Sequence, residues 1–69
     1  MNKLKENLKE LRLHEGKLQR EVADYLGIRH QSYQEYESGK SEPDIDKLIM
    51  LADYFDVTID ELVGRDLFK

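Results

Sequence analysis

The stretch that decides the fold is "QREVADYLGIRHQSYQEYESGK", residues 19–40. In its first half the apolar residues Val22, Ala23 and Leu26 recur at helical spacing. Gly27 follows them directly, and glycine is the usual residue just past a helix end. The pattern therefore predicts a helix of about two turns that stops at this glycine.

The second half of the stretch predicts another helix immediately afterwards. Ile28 follows the glycine, and the run from Arg29 to Glu37 then leads to a second glycine exit at Ser38-Gly39. One helix ends, the glycine permits a turn, an apolar residue fills the junction, and the next helix begins. This order of features is typical of a helix-turn-helix unit.

The residues before this unit predict a first helix. Leu4, Leu8 and Leu11 recur at helical spacing, and Gly16 follows a short charged stretch. The residues after the unit predict two more helices. A fourth helix opens at Pro43-Asp44, with the aspartate as N-cap. Its expected apolar face consists of Ile45, Leu48, Ala52 and Phe55.

The segment "TIDE", residues 58–61, has the form of a capping box. It predicts a fifth helix that carries Ile59, Leu62 and Val63 and ends at Gly64. We therefore expect an all-α fold, a compact five-helix orthogonal bundle that contains a helix-turn-helix. The 69 residues are enough for one domain, with a core over residues 4–64 and a short tail over 65–69.

Composition excludes several classes of protein. The chain has no cysteine, so neither a disulfide framework nor a thiolate metal site is expected. The N-terminus is charged throughout and lacks an apolar run, which favours a cytoplasmic protein without a membrane segment. We find no paired-carboxylate pocket, no nucleophile beside a base, no glycine-rich phosphate loop and no metal cluster. We therefore expect no enzyme, no catalytic residue, no cofactor and no metal.

Charge is unevenly distributed along the chain. The formal net charge is -4, yet residues 1–40 hold eight Lys/Arg and seven Asp/Glu. Residues 41–69 hold three Lys/Arg and eight Asp/Glu. The total is therefore a poor guide to partners, and what matters is the face that the first half presents.

Four segments in this order resemble the phage-repressor-like helix-turn-helix family, also called the Cro/C1 or XRE family. They are "LKELRLHEG", "QREVADYLGI", "QSYQEYESGKSEP" and "LIMLADYFDVTIDELVG". The resemblance runs over residues 4–64 without gaps. It implies a lambda-repressor-like DNA-binding domain, in which the second helix crosses the DNA backbone and the third lies in the major groove.

The resemblance also implies two groups of contact residues. Base-reading side chains are expected on the third helix, and backbone contacts are expected around it. The base-reading positions are His30, Gln31, Gln34 and Glu35. The resemblance places Gln19, Arg29, Ser38 and Lys40 at backbone-contact positions, and Lys17 and Arg20 add positive charge near the expected backbone contact.

Each position on the third helix has a competing interpretation. Gln31 either pairs with adenine, a discrimination of about 1–3 kcal/mol, or is an ordinary solvated glutamine. His30 either contacts guanine or phosphate, or is solvated as well. Glu35 accepts a hydrogen bond from cytosine, or repels phosphate, or forms an ion pair elsewhere in the fold. Arg29 opposes the helix dipole, so a phosphate or guanine contact explains it better than helix stability does; the alternative is a tolerated exposed arginine.

Other positions have structural roles in this interpretation. In related repressors the glutamate beside the aromatic residue of the third helix pairs with an arginine in the first, which implies an Arg12–Glu37 pair. Tyr33 is expected in the core. At Leu18 the usual Ser or Thr cap of the second helix is missing, and we expect this leucine to fold inward with Val22.

The sequence thus favours sequence-specific binding of double-stranded DNA, by a transcriptional repressor that acts as a dimer on a palindromic operator. Half-sites about 34 Å apart, or a multiple of that distance, are expected. The alternatives are a protein-interaction module or an antitoxin-type regulator with weak DNA binding. The expected dimer surface is the fifth helix and the tail, unless the last two of its residues fold back onto the core. This surface comprises Leu62, Val63, Leu67 and Phe68.

Overall fold

A computed structural model describes residues 2–65 of the chain. Within these residues the secondary structure consists of five α-helices and contains no strand. The helices are α1 (Leu4–His14), α2 (Gln19–Leu26), α3 (His30–Ser38), α4 (Ile45–Phe55) and α5 (Ile59–Val63). The all-α, five-helix prediction is therefore confirmed. None of these helices is long and apolar enough to cross a membrane.

The turn between α2 and α3 has the conformation that the sequence predicts. Gly27 has φ 71°, a left-handed conformation that glycine adopts without steric penalty. Its N–H donates to the carbonyl of Asp24 at 3.1 Å, and the N–H of Ile28 donates to that of Ala23 at 3.1 Å. The half-buried Ile28 packs against the core. The hydrogen bonds at the end of α2 and the packing of Ile28 against the core together fix the position at which α3 begins.

Ten buried apolar residues form one core shared by all five helices. They are Leu4, Leu8, Val22, Ala23, Leu26, Tyr33, Leu51, Ala52, Phe55 and Leu62. Helix α3 packs against α1 and α2, and only Tyr33 of this helix is buried. Burying one such side chain contributes about 1.5–3 kcal/mol. Tyr33 is therefore the buried anchor of α3, with the half-buried Tyr36 packed beside it, whereas His30, Gln31, Gln34 and Ser38 are exposed.

The predicted caps of the last two helices are confirmed. At the start of α4, the Asp44 carboxylate accepts the N–H of Lys47 at 2.8 Å. At the start of α5, the Thr58 hydroxyl accepts the N–H of Glu61 at 3.0 Å, and the Glu61 carboxylate accepts that of Thr58 at 2.8 Å. These bonds satisfy donors that a helix N-terminus otherwise leaves unpaired.

Two expectations about apolar residues were wrong. Ile45 was expected on the inner face of α4, but it begins that helix and is 70% exposed, and Leu51 is buried instead. Leu18 was expected to fold inward, but it is 65% exposed. Leu18 is nevertheless the N-cap of α2, and the Glu21 carboxylate accepts its N–H at 2.8 Å. Half of a capping box is thus formed without a polar residue at the cap.

The expected dimer surface also needs a correction. Leu62 is fully buried in the core of its own chain, so it offers no surface to a second copy. It faces inward because its helix packs against both α1 and α4. Val63, on the same helix, is half-buried. Leu67 and Phe68 lie outside the described residues.

Candidate nucleic-acid interface

The outer face of α3 carries polar side chains opposite its buried anchor. His30, Gln31 and Gln34 are exposed, and Glu35 is half-buried. Residues four apart lie on the same side of a helix, so His30 sits above Gln34, and Gln31 above Glu35. The four predicted base-reading residues thus form two adjacent rows on one helix.

Gln19, the first residue of α2, connects that helix to α3 through three contacts. Its amide nitrogen donates to Glu37 Oε1 at 3.1 Å. Its amide oxygen lies 3.4 Å from His30 Nε2 and accepts a hydrogen bond from Gln34 Nε2 at 3.3 Å. One side chain thus contacts the His30–Gln34 row and a residue behind that row. The resemblance assigned Gln19 to the DNA backbone and did not indicate these contacts.

Arg12 and Glu37 form a two-point ion pair behind this row. Arg12 Nε lies 2.7 Å from Glu37 Oε2, and Arg12 Nη2 lies 3.0 Å from Glu37 Oε1. The two side chains are only 10% and 5% exposed. Arg12 Nη1 also donates to the carbonyl of Lys17 at 3.0 Å, which fixes the turn between α1 and α2. The pair implied by the resemblance is present and joins three segments of the chain.

Burial and hydrogen bonding act in opposite directions on Glu37. Partial burial acts to raise the pKa of this carboxyl group. Hydrogen bonds from Arg12 and Gln19 stabilise the carboxylate, and the net result is a pKa below the usual range. The hydrogen bond to Glu37 likewise raises the pKa of Arg12. Both groups are therefore held in their charged forms.

The Tyr33 hydroxyl is buried near this pair. It makes no hydrogen bond to any residue between 2 and 65. Burial raises the pKa of Tyr33 far above its ordinary value, and the neighbouring Glu37 carboxylate adds to this effect. Tyr33 is thus a neutral core residue, and its expected place in the core is confirmed.

A shallow groove of about 700 Å³ runs between the start of α2 and α3. Its lining consists of three cationic side chains, one carboxylate, four polar side chains and one exposed leucine. It comprises Lys9, Arg12, Leu18, Gln19, Arg20, His30, Gln34, Glu37 and Ser38. Lys9 and Leu18 were not among the predicted contact residues. In such a groove, cationic side chains can bind the phosphates of a nucleic acid, while polar side chains form hydrogen bonds with the edges of its bases.

The C-terminal end of α3 holds two predicted phosphate contacts. The Ser38 hydroxyl donates to the carbonyl of Glu35 at 3.2 Å and accepts the Lys40 N–H at 3.4 Å. Its proton is therefore already used within the helix end. The Lys40 side chain is exposed. The stem of Lys5 crosses the same helix end, since a Cβ added at Gly39 would lie 2.7 Å from Lys5 Cδ.

The remaining predicted contact residues lie around the same surface. Arg29 is the exposed N-cap of α3, and its side chain makes no capping hydrogen bond. Arg20 is exposed and Lys17 is half-buried. Glu35 forms no ion pair with any described residue, so an internal partner for its charge is not found within residues 2–65. Over the same residues, no group of three or more side chains is arranged to hold a metal ion.

Comparison with known proteins agrees with the helix-turn-helix fold. The profile of the Helix-turn-helix family matches residues 8–62. The chain is 43% identical over 63 residues to the cryptic phage CTXphi transcriptional repressor RstR of Vibrio cholerae serotype O1, covering 91% of this chain and 56% of that protein. It is 52% identical over 48 residues to the HTH-type transcriptional regulator AnsR of Bacillus subtilis, covering 70% of this chain and 41% of that protein.

A solved structure gives the same result. The crystal structure of a transcriptional regulator from Listeria innocua superposes with a TM-score of 0.93 at 38% identity, covering 100% of this chain and 64% of that one. The chain thus spans about half the length of the two curated relatives. Family profile, relatives and fold agree with the segments singled out in the sequence, and the chain belongs to the Cro/C1 (XRE) helix-turn-helix family.

Proposed function

We propose that this protein binds double-stranded DNA sequence-specifically and regulates transcription, with α3 in the major groove. The observation that supports this most is the outer face of α3. The polar side chains on this face are exposed. On the other side of α3, Glu37 is hydrogen-bonded to Gln19 of α2 and to Arg12 of α1, which fixes the helix in place. A rigidly supported reading helix loses little conformational entropy on binding.

The arrangement of charge agrees with this orientation. Lys9 and Arg20 line the groove beside α3, and Arg29 and Lys40 lie at the two ends of that helix. The excess of acidic residues lies beyond residue 40, where four of the eight carboxylates are on α4 and α5. Phosphate contacts come from few cations, so we expect modest affinity that falls steeply with salt.

The regulatory outcome that we propose is repression. RstR, which is named as a phage transcriptional repressor, shares 43% identity over 63 residues with this chain. A small domain in the major groove of a promoter would exclude polymerase by occupying its site. Such a protein works in the cytoplasm, associated with the nucleoid while it is bound to DNA.

Dimeric binding to a palindrome is part of the proposal. One monomer has too few cations for tight binding, and two copies on one face of the duplex double the contact surface. The surface we propose is α5 with the tail, where Val63 is half-buried and Ile59 is 40% exposed. The tail residues Leu67 and Phe68 would extend it.

Selection from a random duplex pool at low salt tests the proposal directly. We expect enrichment of a palindromic consensus with half-sites about 34 Å apart or a multiple of that. A folded protein that enriches no sequence would contradict sequence-specific binding. Enrichment of a single half-site, together with a monomeric protein in sedimentation velocity, would contradict dimeric binding but not sequence-specific binding.

A matched pair of variants assigns the binding face. The double variant His30→Ala and Gln31→Ala changes only exposed side chains of α3 and should abolish the enrichment. The control Asp53→Ala changes an exposed residue of α4 and should leave the consensus intact. Circular dichroism of both variants checks that the fold is retained.

One observation favours a second candidate, a protein-interaction or antitoxin-type module with weak DNA binding. Glu35 places a carboxylate on the α3 surface without an ion-pair partner among residues 2–65. The acidic second half of the chain adds to the repulsion of phosphate. This candidate predicts no enriched duplex at low salt and a tight complex with a protein partner.

A further inference from the structure

Gln19 is oriented by a group that accepts hydrogen bonds but cannot donate them. Its amide nitrogen lies 3.1 Å from Oε1 of Glu37, a carboxylate whose pKa is lowered by its hydrogen bonds. An ionised carboxylate only accepts, so the nitrogen end of the amide must point towards it. The same carboxylate is fixed in turn by Arg12 at 2.7 and 3.0 Å. The orientation of the Gln19 amide is thus determined by the buried ion pair.

The amide oxygen consequently faces α3 as an acceptor. It lies 3.4 Å from His30 Nε2 and 3.3 Å from Gln34 Nε2. A carbonyl oxygen takes only donors, so His30 must carry a proton on Nε2 in order to make its contact. Gln34 likewise must present its amide nitrogen. Glu37 thus fixes the orientation of the Gln19 amide, and the Gln19 oxygen in turn requires His30 and Gln34 to act as hydrogen-bond donors.

This direction decides which groups remain for an external partner. In a neutral imidazole one nitrogen donates and the other accepts, so a proton on Nε2 makes Nδ1 of His30 an acceptor. That nitrogen has no hydrogen-bond partner among residues 2–65. Gln34 keeps its amide oxygen and one N–H hydrogen. These remaining groups suit a base edge that carries an amino group, either adenine or cytosine.

We propose that Gln19 is a positioning residue that sets the hydrogen-bonding polarity of His30 and Gln34, so that neutral His30 selects a base with a major-groove amino group. The base preference rests on the proposed DNA-binding function, whereas the tautomer of His30 is a property of the free protein. Guanine, which offers only acceptors in the major groove, is disfavoured at the His30 position. The charged groups that line the same groove as His30 are Lys9, Arg12, Arg20 and Glu37, and Arg29 directly precedes His30 in the chain.

Nitrogen-15 NMR of the imidazole rings in the free protein tests the positioning role. The spectra are recorded at about pH 8, at which the tautomers of neutral imidazole rings are compared. We expect His30 in a single tautomer with the proton on Nε2. The variant Gln19→Met keeps the length of the side chain but removes the amide, and it should return His30 to an exchanging mixture of tautomers.

Two internal controls accompany this measurement. Gln31→Met removes an amide from α3, the helix that carries His30, but leaves the contacts of Gln19 in place. It should therefore leave the His30 signals unchanged. His14, on α1 and 84% exposed, should keep its signals in every variant. An Nδ1-protonated His30, or a His30 that does not respond to Gln19→Met, would overturn the proposal.

Selection on duplex pools then tests the base preference separately. The position that His30 reads is the one whose preference is lost in His30→Ala. We expect adenine or cytosine there on the strand that faces His30, and about tenfold weaker discrimination in Gln19→Met at that position. Guanine at that position would overturn the base preference. A pool without enrichment would contradict the proposed function, whereas the NMR result would still decide the role of Gln19.

Discussion

Arg12 of α1 and Glu37 of α3 are joined at two points, with Nε–Oε2 at 2.7 Å and Nη2–Oε1 at 3.0 Å. Because both side chains are largely buried, removing one leaves the other as an unpaired charge with little access to water. We expect Glu37→Ala to lower the free energy of unfolding by about 3–5 kcal/mol, measured by urea denaturation.

The matched control for this prediction is Glu35→Ala. Glu35 lies on the same helix, is half-buried and forms no ion pair with a described residue, so we expect a change within about 0.5 kcal/mol. Replacing both partners, Arg12→Met with Glu37→Met, should restore part of the loss, since it removes both buried charges. A Glu37→Ala protein as stable as the Glu35→Ala protein would show that the pair contributes little.

The same carboxylate predicts a dependence of stability on pH. The pKa of Glu37 in the folded protein lies below its ordinary value of 4.5, so folding favours the ionised form. The resulting stabilisation is present above about pH 4.5 and is lost as the pH falls through the lower pKa of the folded state. The unfolding temperature of Glu37→Gln should therefore fall less on acidification than the unfolding temperature of the parent protein. Parallel declines would contradict this assignment.

The order of the helices could be predicted because the signals that define them are local. The exit of α2 depends on Gly27, and the starts of α4 and α5 depend on short-range caps at Asp44 and Thr58. A local pattern of this kind needs no knowledge of the rest of the chain. The Arg12–Glu37 pair was expected for another reason, which is the resemblance to a family.

The features that could not be predicted depend on how helices pack. Ile45 fits the apolar period of α4, yet its place in the first turn leaves it outside the core. The burial of Leu62 follows from the packing of α5 against both α1 and α4. The contacts of Gln19 cross 11 to 18 positions of sequence, and no periodic pattern indicates them. Side-chain contacts between helices are set by tertiary geometry, which one sequence does not reveal.

Gln31 tests direct base reading. Its side chain is exposed on α3, so Gln31→Ala should change DNA contacts without altering the fold. We expect a loss of about 1–3 kcal/mol of discrimination at one base pair of each half-site, measured by competition with singly substituted operators. Ser32→Ala on the same helix is the control. An equal loss of affinity for all sequences would contradict a reading role for Gln31.

Substitution of Glu35 distinguishes two possible effects of its carboxylate, a hydrogen bond to cytosine and repulsion of phosphate. If it accepts a hydrogen bond from cytosine, Glu35→Gln should shift preference away from cytosine at one position. If it only repels phosphate, the substitution should raise affinity for all sequences, most strongly at low salt. We expect the first result, because Glu35 lies in the same row of α3 as Gln31. Titrations of several operators at two salt concentrations distinguish the outcomes.

The start of α2 offers a substitution that should stabilise the protein. Leu18 is the N-cap of that helix, is 65% exposed, and makes no side-chain capping bond. Glu21 already accepts the Leu18 N–H at 2.8 Å, so Leu18→Ser would complete the capping box by accepting the N–H of Glu21. We expect about 1 kcal/mol of added stability in urea denaturation. The control Leu13→Ser alters another exposed leucine, 58% exposed within α1, where no cap is formed and no gain is expected. A gain at both positions would mean that exposed apolar surface, and not the missing cap, limits stability.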